Sequence, residues 1–219
     1  MPNWKGVLLR ATLPNRQGLF FWRIMDRKEK KIFVFFAGLW ALVEVSLGTI
    51  LSLSKVPFRG LLMASFACFI LIAFRMFVDK PRSSLYLASV VATIKLFFSL
   101  GAGAFNSALA IFIEGLLAEA IFGLAKVNLF SSILVGALVL LYPFLHSLFM
   151  QTMIFGVDIF KIYNKILVEF QQIVNLQTKF GIFEMILIFV FIYLIIGVVV
   201  GILSFYFSKN VLKKVIVNE

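Results

Sequence analysis

The stretch IFVFFAGLWALVEVSLGTILSLS, residues 32–54, decides the fold. It is long enough to cross a bilayer as one helix, because a span needs about 20 mainly apolar residues. One ionisable residue, Glu44, sits near its middle. A carboxylate at that depth is costly, and in membrane proteins it usually faces the bundle interior. Ala37 and Ala41 stand one turn apart just before it, with Gly38 beside them. Small residues at that spacing let membrane helices approach closely.

Composition extends the reading to the whole chain. Of 219 residues, 62% are hydrophobic and only 14% are charged, which is too little polar surface for a soluble domain of this size. Five more apolar runs are long enough to span, at 61–78, 85–102, 106–125, 129–155 and 182–206. The breaks have physical causes. LSKVPFRG (53–60) and DKPRSS (79–84) each hold a proline among charges, and proline cannot continue a helix. GAGAFNS (101–107) is small and flexible, and KVN (126–128) is polar. Pro143 lies within the fifth run, which is either kinked there or divided in two.

The expected fold class is therefore an all-α integral membrane protein, a bundle of six transmembrane helices over 32–206. Residues 1–31 form a cytoplasmic or interfacial arm, and 207–219 a cytoplasmic tail. Residues 156–181 differ from the spans. Ile159, Ile162, Tyr163, Ile166, Phe170, Ile173 and Val174 recur at helical spacing, with Lys161, Lys165, Glu169 and Gln172 elsewhere on the wheel. This is an additional amphipathic helix at the outer face, read either as a connector resting on the membrane or as a lid.

The net charge is +11. The basic residues lie mainly between apolar runs, so they speak to topology and not to nucleic acid. Placing both termini inside puts Lys28, Lys30, Lys31, Lys80, Arg82 and Lys126 in the cytoplasm, with most of the other basic residues. It leaves Lys55, Arg59, Lys161, Lys165 and Lys179 outside. The setting this implies is the inner (cytoplasmic) membrane, crossed several times, with membrane lipid around the bundle.

The polar residues inside the spans are the candidate site. They are Glu44, Lys95, Glu114, Glu119 and His146, with Asn106 and Gln151 near the outer ends. Depth at about 1.5 Å per residue puts Glu44, Lys95 and Glu114 near mid-membrane, Glu119 toward the cytoplasm, and His146 and Gln151 in the outer half. Lys95 is placed to pair with Glu44 or Glu114 and so offset their burial. Such a set either fixes helix register or lines a pocket. Arg75 is expected to reach the cytoplasmic face by snorkelling.

Enzyme signatures are missing. There is no Gly-rich nucleotide loop with its Lys, no HExxH and no GxSxG. His146 is the only His, which excludes a His-based metal cage. Cys68 is the only Cys and forms no intrachain disulfide. No catalytic residue, metal or cofactor is expected.

Together, the six spans, the inside termini and Ala37/Ala41 resemble the substrate-binding S components of energy-coupling factor (ECF) transporters. EVSLGTILSLSKVPFRGLL (44–62) looks like the family's first helix, loop and second-helix start, and FIEGLLAEAIFG (112–123) has a similar flavour. The resemblance implies a substrate-capture subunit of an ATP-driven importer for a vitamin-like small molecule. A transmembrane scaffold and two ATPase subunits would be its partners. Ala37, Gly38 and Ala41 would dock on the scaffold. Glu44, Lys95, Asn106, Glu114, His146 and Gln151 would be the substrate-binding candidates. The chain's start, MPNWKG, lacks the His-rich metal hook of nickel and cobalt members. The alternatives are a stand-alone secondary transporter or channel, coupled through buried Glu and Lys, and an intramembrane enzyme or assembly factor built on Glu114, Glu119 and His146.

Overall fold

The structure, a computed structural model, describes residues 25–53, 58–99, 102–173 and 181–212. These form seven α-helices: α1 (Arg27–Leu53), α2 (Arg59–Phe77), α3 (Ser83–Phe98), α4 (Ala102–Leu124), α5 (Leu129–Phe155), α6 (Asp158–Ile173) and α7 (Ile182–Phe207). A π-helical turn, Ser208–Leu212, follows α7, and there is no strand among the described residues. Most of the expected N-terminal arm and tail lie outside the described residues, as does the end of the amphipathic segment.

Five of the helices are long and apolar enough to cross a membrane. Of the six expected spans, the third is the one that falls short of that length. Helix α3 has 16 residues, about 24 Å against a hydrocarbon core of about 30 Å. It stops because Ser99 turns to extended geometry. The break expected over 101–107 is correspondingly smaller. Helix α4 is already helical at Ala102, the first residue described after Ser99, and Ser107 Oγ donates to the Gly103 carbonyl at 2.9 Å. The fifth run is a single helix with Pro143 inside it.

Local chemistry sets the other ends. Helix α1 begins at Arg27, ahead of the expected 32, because DRKE (26–29) is a reciprocal cap. Asp26 Oδ1 accepts from the Glu29 N–H at 2.7 Å, and Glu29 Oε2 accepts from the Asp26 N–H at 2.9 Å. Asn128 and Ser131 cap α5 in the same reciprocal way. Helix α3 borrows its cap from another helix. Arg82 takes a left-handed conformation with φ 65°, and the Arg82 and Ser84 N–H groups donate to the Glu119 carboxylate of α4 at 2.6 and 3.0 Å.

Pair contacts fix the order of the ends. Lys80, after α2, pairs with Glu29 at the start of α1 at 3.5 Å. Arg75, late in α2, pairs with Glu119, late in α4, at 3.6 Å. Ser132 and Gly136, early in α5, lie against Gly201 and Gly197, late in α7. The start of α1 and the end of α7 thus share one end of the bundle. Lys126 follows α4 there, and Lys209 follows α7. Arg75 does not snorkel. It is 3% exposed, donates to the Lys80 carbonyl and Ser83 Oγ, and holds the α2–α3 turn against α4.

Packing differs between the two halves. The half near Arg75 is solid, with Phe33, Phe36, Trp40 and Phe74 buried together and Phe36–Phe74 ring centres 5.9 Å apart. Two glycine contacts bring helices close. A Cβ on Gly115 of α4 would come within 2.1 Å of the Ala88 Cβ of α3, and one on Gly136 within 2.1 Å of the Gly197 carbonyl oxygen. The other half of the bundle is hollow. The outer surface is apolar, with Phe97, Phe130, Phe191 and Leu203 all well exposed. A surface of that character needs lipid around it.

Candidate functional site

The hollow half holds a cavity of about 810 Å³. All six expected substrate-binding residues line it: Glu44 from α1, Lys95 from α3, Asn106 and Glu114 from α4, and His146 and Gln151 from α5. Their separations in sequence give no hint of this. Each is a polar position on the inward face of its own helix, and the crossing of the helices brings them together.

Glu44 and Lys95 form an internal pair. The Lys95 Nζ lies 3.8 Å from Glu44 Oε2 and donates to the Glu44 backbone carbonyl. Both residues are 6% exposed. Gly48, one turn past Glu44, leaves the space that the ammonium occupies, since a Cβ there would sit 2.9 Å from Lys95 Nζ. Glu114 also lines the wall and is 4% exposed, and its Oε2 has no hydrogen-bond partner among the described residues. The Tyr142 hydroxyl lies 3.2 Å from His146 Nδ1, and His146 Nε2 is buried without a partner. Gln151 accepts from the Tyr163 hydroxyl of α6, which ties the amphipathic helix to the cavity wall.

Sequence reasoning missed several lining residues. Arg59 and Phe58 belong to the expected outer loop but start α2 at the cavity rim, both exposed. Tyr193 is one of few polar side chains in an apolar span, which is a faint signal, and its ring lies 5.1 Å from that of Phe144. Glu119 is not in the cavity and serves the α3 cap instead. No group of three or more His, Cys, Asp or Glu that could hold a metal occurs among the described residues.

The docking expectation for Ala37, Gly38 and Ala41 needs correction. Ala37 and Ala41 are each 6% exposed and belong to this chain's own core. Glu44 shares their inward face, being seven and three residues on. Only Gly38 faces outward, with nothing within 4 Å of a Cβ placed there. The small residues let α1 close on its own neighbours, so that pair is not an outer docking surface.

No protein-family model, curated protein or solved structure matches the chain. The fold is that of a multi-pass membrane protein by helix length and hydropathy, and no family is identified.

Proposed function

We propose that the chain is the membrane-embedded capture subunit of an ATP-driven importer for a small polar or zwitterionic molecule, with the cavity as its capture site. The observation that carries this reading is the convergence of Glu44, Lys95, Asn106, Glu114, His146 and Gln151 on one hollow. A cavity of about 810 Å³ suits a vitamin-sized solute, since small-molecule sites run roughly 300–1,000 Å³. The basic residues cluster at the opposite end of the bundle, so the positive-inside rule turns the cavity outward and puts the Arg27 and Phe207 ends in the cytoplasm. The sequence carries no nucleotide-binding loop, so a scaffold and ATPases on other chains supply the energy. The inner (cytoplasmic) membrane is the matching location.

Native mass spectrometry of the purified chain tests this. A co-purified small molecule, lost when Asn106 and Gln151 are both changed to Ala, is the expected result. A pull-down from native membranes without any ATPase or scaffold would count against the importer role while leaving the capture site standing.

A second reading is a stand-alone secondary transporter, favoured by the buried Glu114 beside the Glu44–Lys95 pair. Uptake by the purified chain alone in liposomes, driven by a pH gradient, would select it.

A further inference from the structure

One carboxyl group deep in the cavity has no cation beside it, and this deepens the capture-site reading on which it rests. The inner wall carries two carboxyl side chains, Glu44 and Glu114, but one ammonium, Lys95. That ammonium is committed to Glu44, through both the carboxylate and the backbone carbonyl. Glu114 is left with a buried Oε2 that has no partner among the described residues. A buried acceptor without a donor is costly to maintain, and a buried carboxylate without a cation more so. The other cationic side chain on the cavity wall, Arg59, is exposed at the rim.

The missing group is a positively charged donor. A bare metal ion does not suit the site. The cavity is far larger than an ion, and no group of three or more metal-binding side chains occurs among the described residues. The walls beside the charges are apolar or aromatic: Ile111, Phe144, Met150 and Tyr193. Phe144 and Tyr193 both line the cavity, with ring centres 5.1 Å apart, and aromatic rings favour a delocalised cation.

We propose that the cavity binds a small organic cation, a compact positively charged nitrogen group on a ring-bearing or otherwise apolar body, with the nitrogen donating to Glu114 Oε2. The nitrogen supplies the donor that Glu114 Oε2 lacks. Arg59, exposed at the rim, can meet an acceptor at the other end of the solute.

The test uses the purified full chain in nanodiscs and three probes of nearly equal size and shape: benzamidine (cationic), benzamide (neutral) and benzoate (anionic). Binding is read by calorimetry and by the shift in thermal unfolding. Benzamidine is expected to bind at least tenfold more tightly than benzamide, with benzoate weakest. Glu114→Gln keeps the shape and removes the charge. It is expected to weaken benzamidine at least tenfold and to weaken benzamide far less. Should that variant fail to fold, the order of the three probes on the unaltered chain still decides. Equal binding of all three, a preference for benzoate, or binding of none overturns the proposal. A native co-purified molecule without a cationic nitrogen overturns it too, yet leaves the capture site intact. The absence of any co-purified molecule is the separate result that removes the capture reading itself.

Discussion

Lys95 shows how one residue settles the role of another. Glu44 stands on the inward face of α1 at mid-depth, where an isolated carboxylate is costly. Lys95 reaches it from α3, and Gly48 leaves the ammonium room. Breaking such a pair from one side leaves an uncompensated buried charge, a loss of about 3 kcal/mol. Lys95→Met is therefore expected to lower the thermal unfolding midpoint clearly, and Lys95→Met with Glu44→Met to recover most of the loss. A double variant as unstable as the single one would refute the pairing. Glu119 differs, because it acts as a cap and as a partner for Arg75. Glu119→Ala should cost about 2–3 kcal/mol, since it strips two N–H groups of their acceptor and leaves the buried Arg75 guanidinium with only the exposed Asp79 at 3.8 Å. Thermal unfolding reads this as well, and the Glu44–Lys95 pair should be untouched.

Among elements, α5 and α7 meet backbone to backbone. Ser132 and Gly136 on α5 face Gly197 and Gly201 on α7, small residues four apart on both helices. Backbone approach of this kind is a driving term for helix association in lipid, where no hydrophobic effect acts between helices. Gly136→Ala would place its Cβ 2.1 Å from the Gly197 carbonyl oxygen. Neither backbone gives way without parting the helices, so a loss of about 2–3 kcal/mol is expected. Gly38→Ala has open space around its Cβ and should be neutral or stabilising by up to about 1 kcal/mol from helix propensity. Equal loss in both variants would show that the contact contributes little. Helix α6 is held more lightly. Its Ile159 is buried but Ile162 is 54% exposed, as expected of an amphipathic helix resting at an interface.

For the whole molecule, the division into a solid half and a hollow half is the main result. Lys126 sits at the solid, basic end, and Ser147 lines the cavity near the other. Cys68, the only cysteine in the chain, is fully buried and gives little labelling background. Single cysteines at Lys126 and Ser147 should therefore react with a membrane-impermeant thiol reagent from opposite sides of the membrane. Labelling of both from one side would mean that the bundle does not cross as described. The short helix α3 fits this division. Ser99, which ends it, lies on the cavity wall, so its shortfall falls in the hollow half.

Hydropathy and helix-breaking residues made most of the elements legible in the sequence. Runs of apolar residues, prolines beside charges and the KVN break fix where helices start and stop, because backbone hydrogen bonds in lipid must be satisfied within each helix. The DRKE cap, carried by four adjacent residues, was not read, and hydropathy alone began the first span at 32 and not at Arg27. The short α3 was not, because GAGAFNS reads equally well as a flexible link or as a helix start. The polar residues inside the spans marked all six candidate positions, since burial in lipid makes any such residue conspicuous. Tertiary structure alone decided which of them meet. Lys95 pairs with Glu44 and not Glu114, Glu119 leaves the set to cap α3, and Ala37 and Ala41 turn inward. The physical reason is that helical periodicity ranks positions around one axis but does not say which neighbour each face will meet. That depends on crossing geometry, which close glycine contacts and side-chain packing set only when all the helices are assembled.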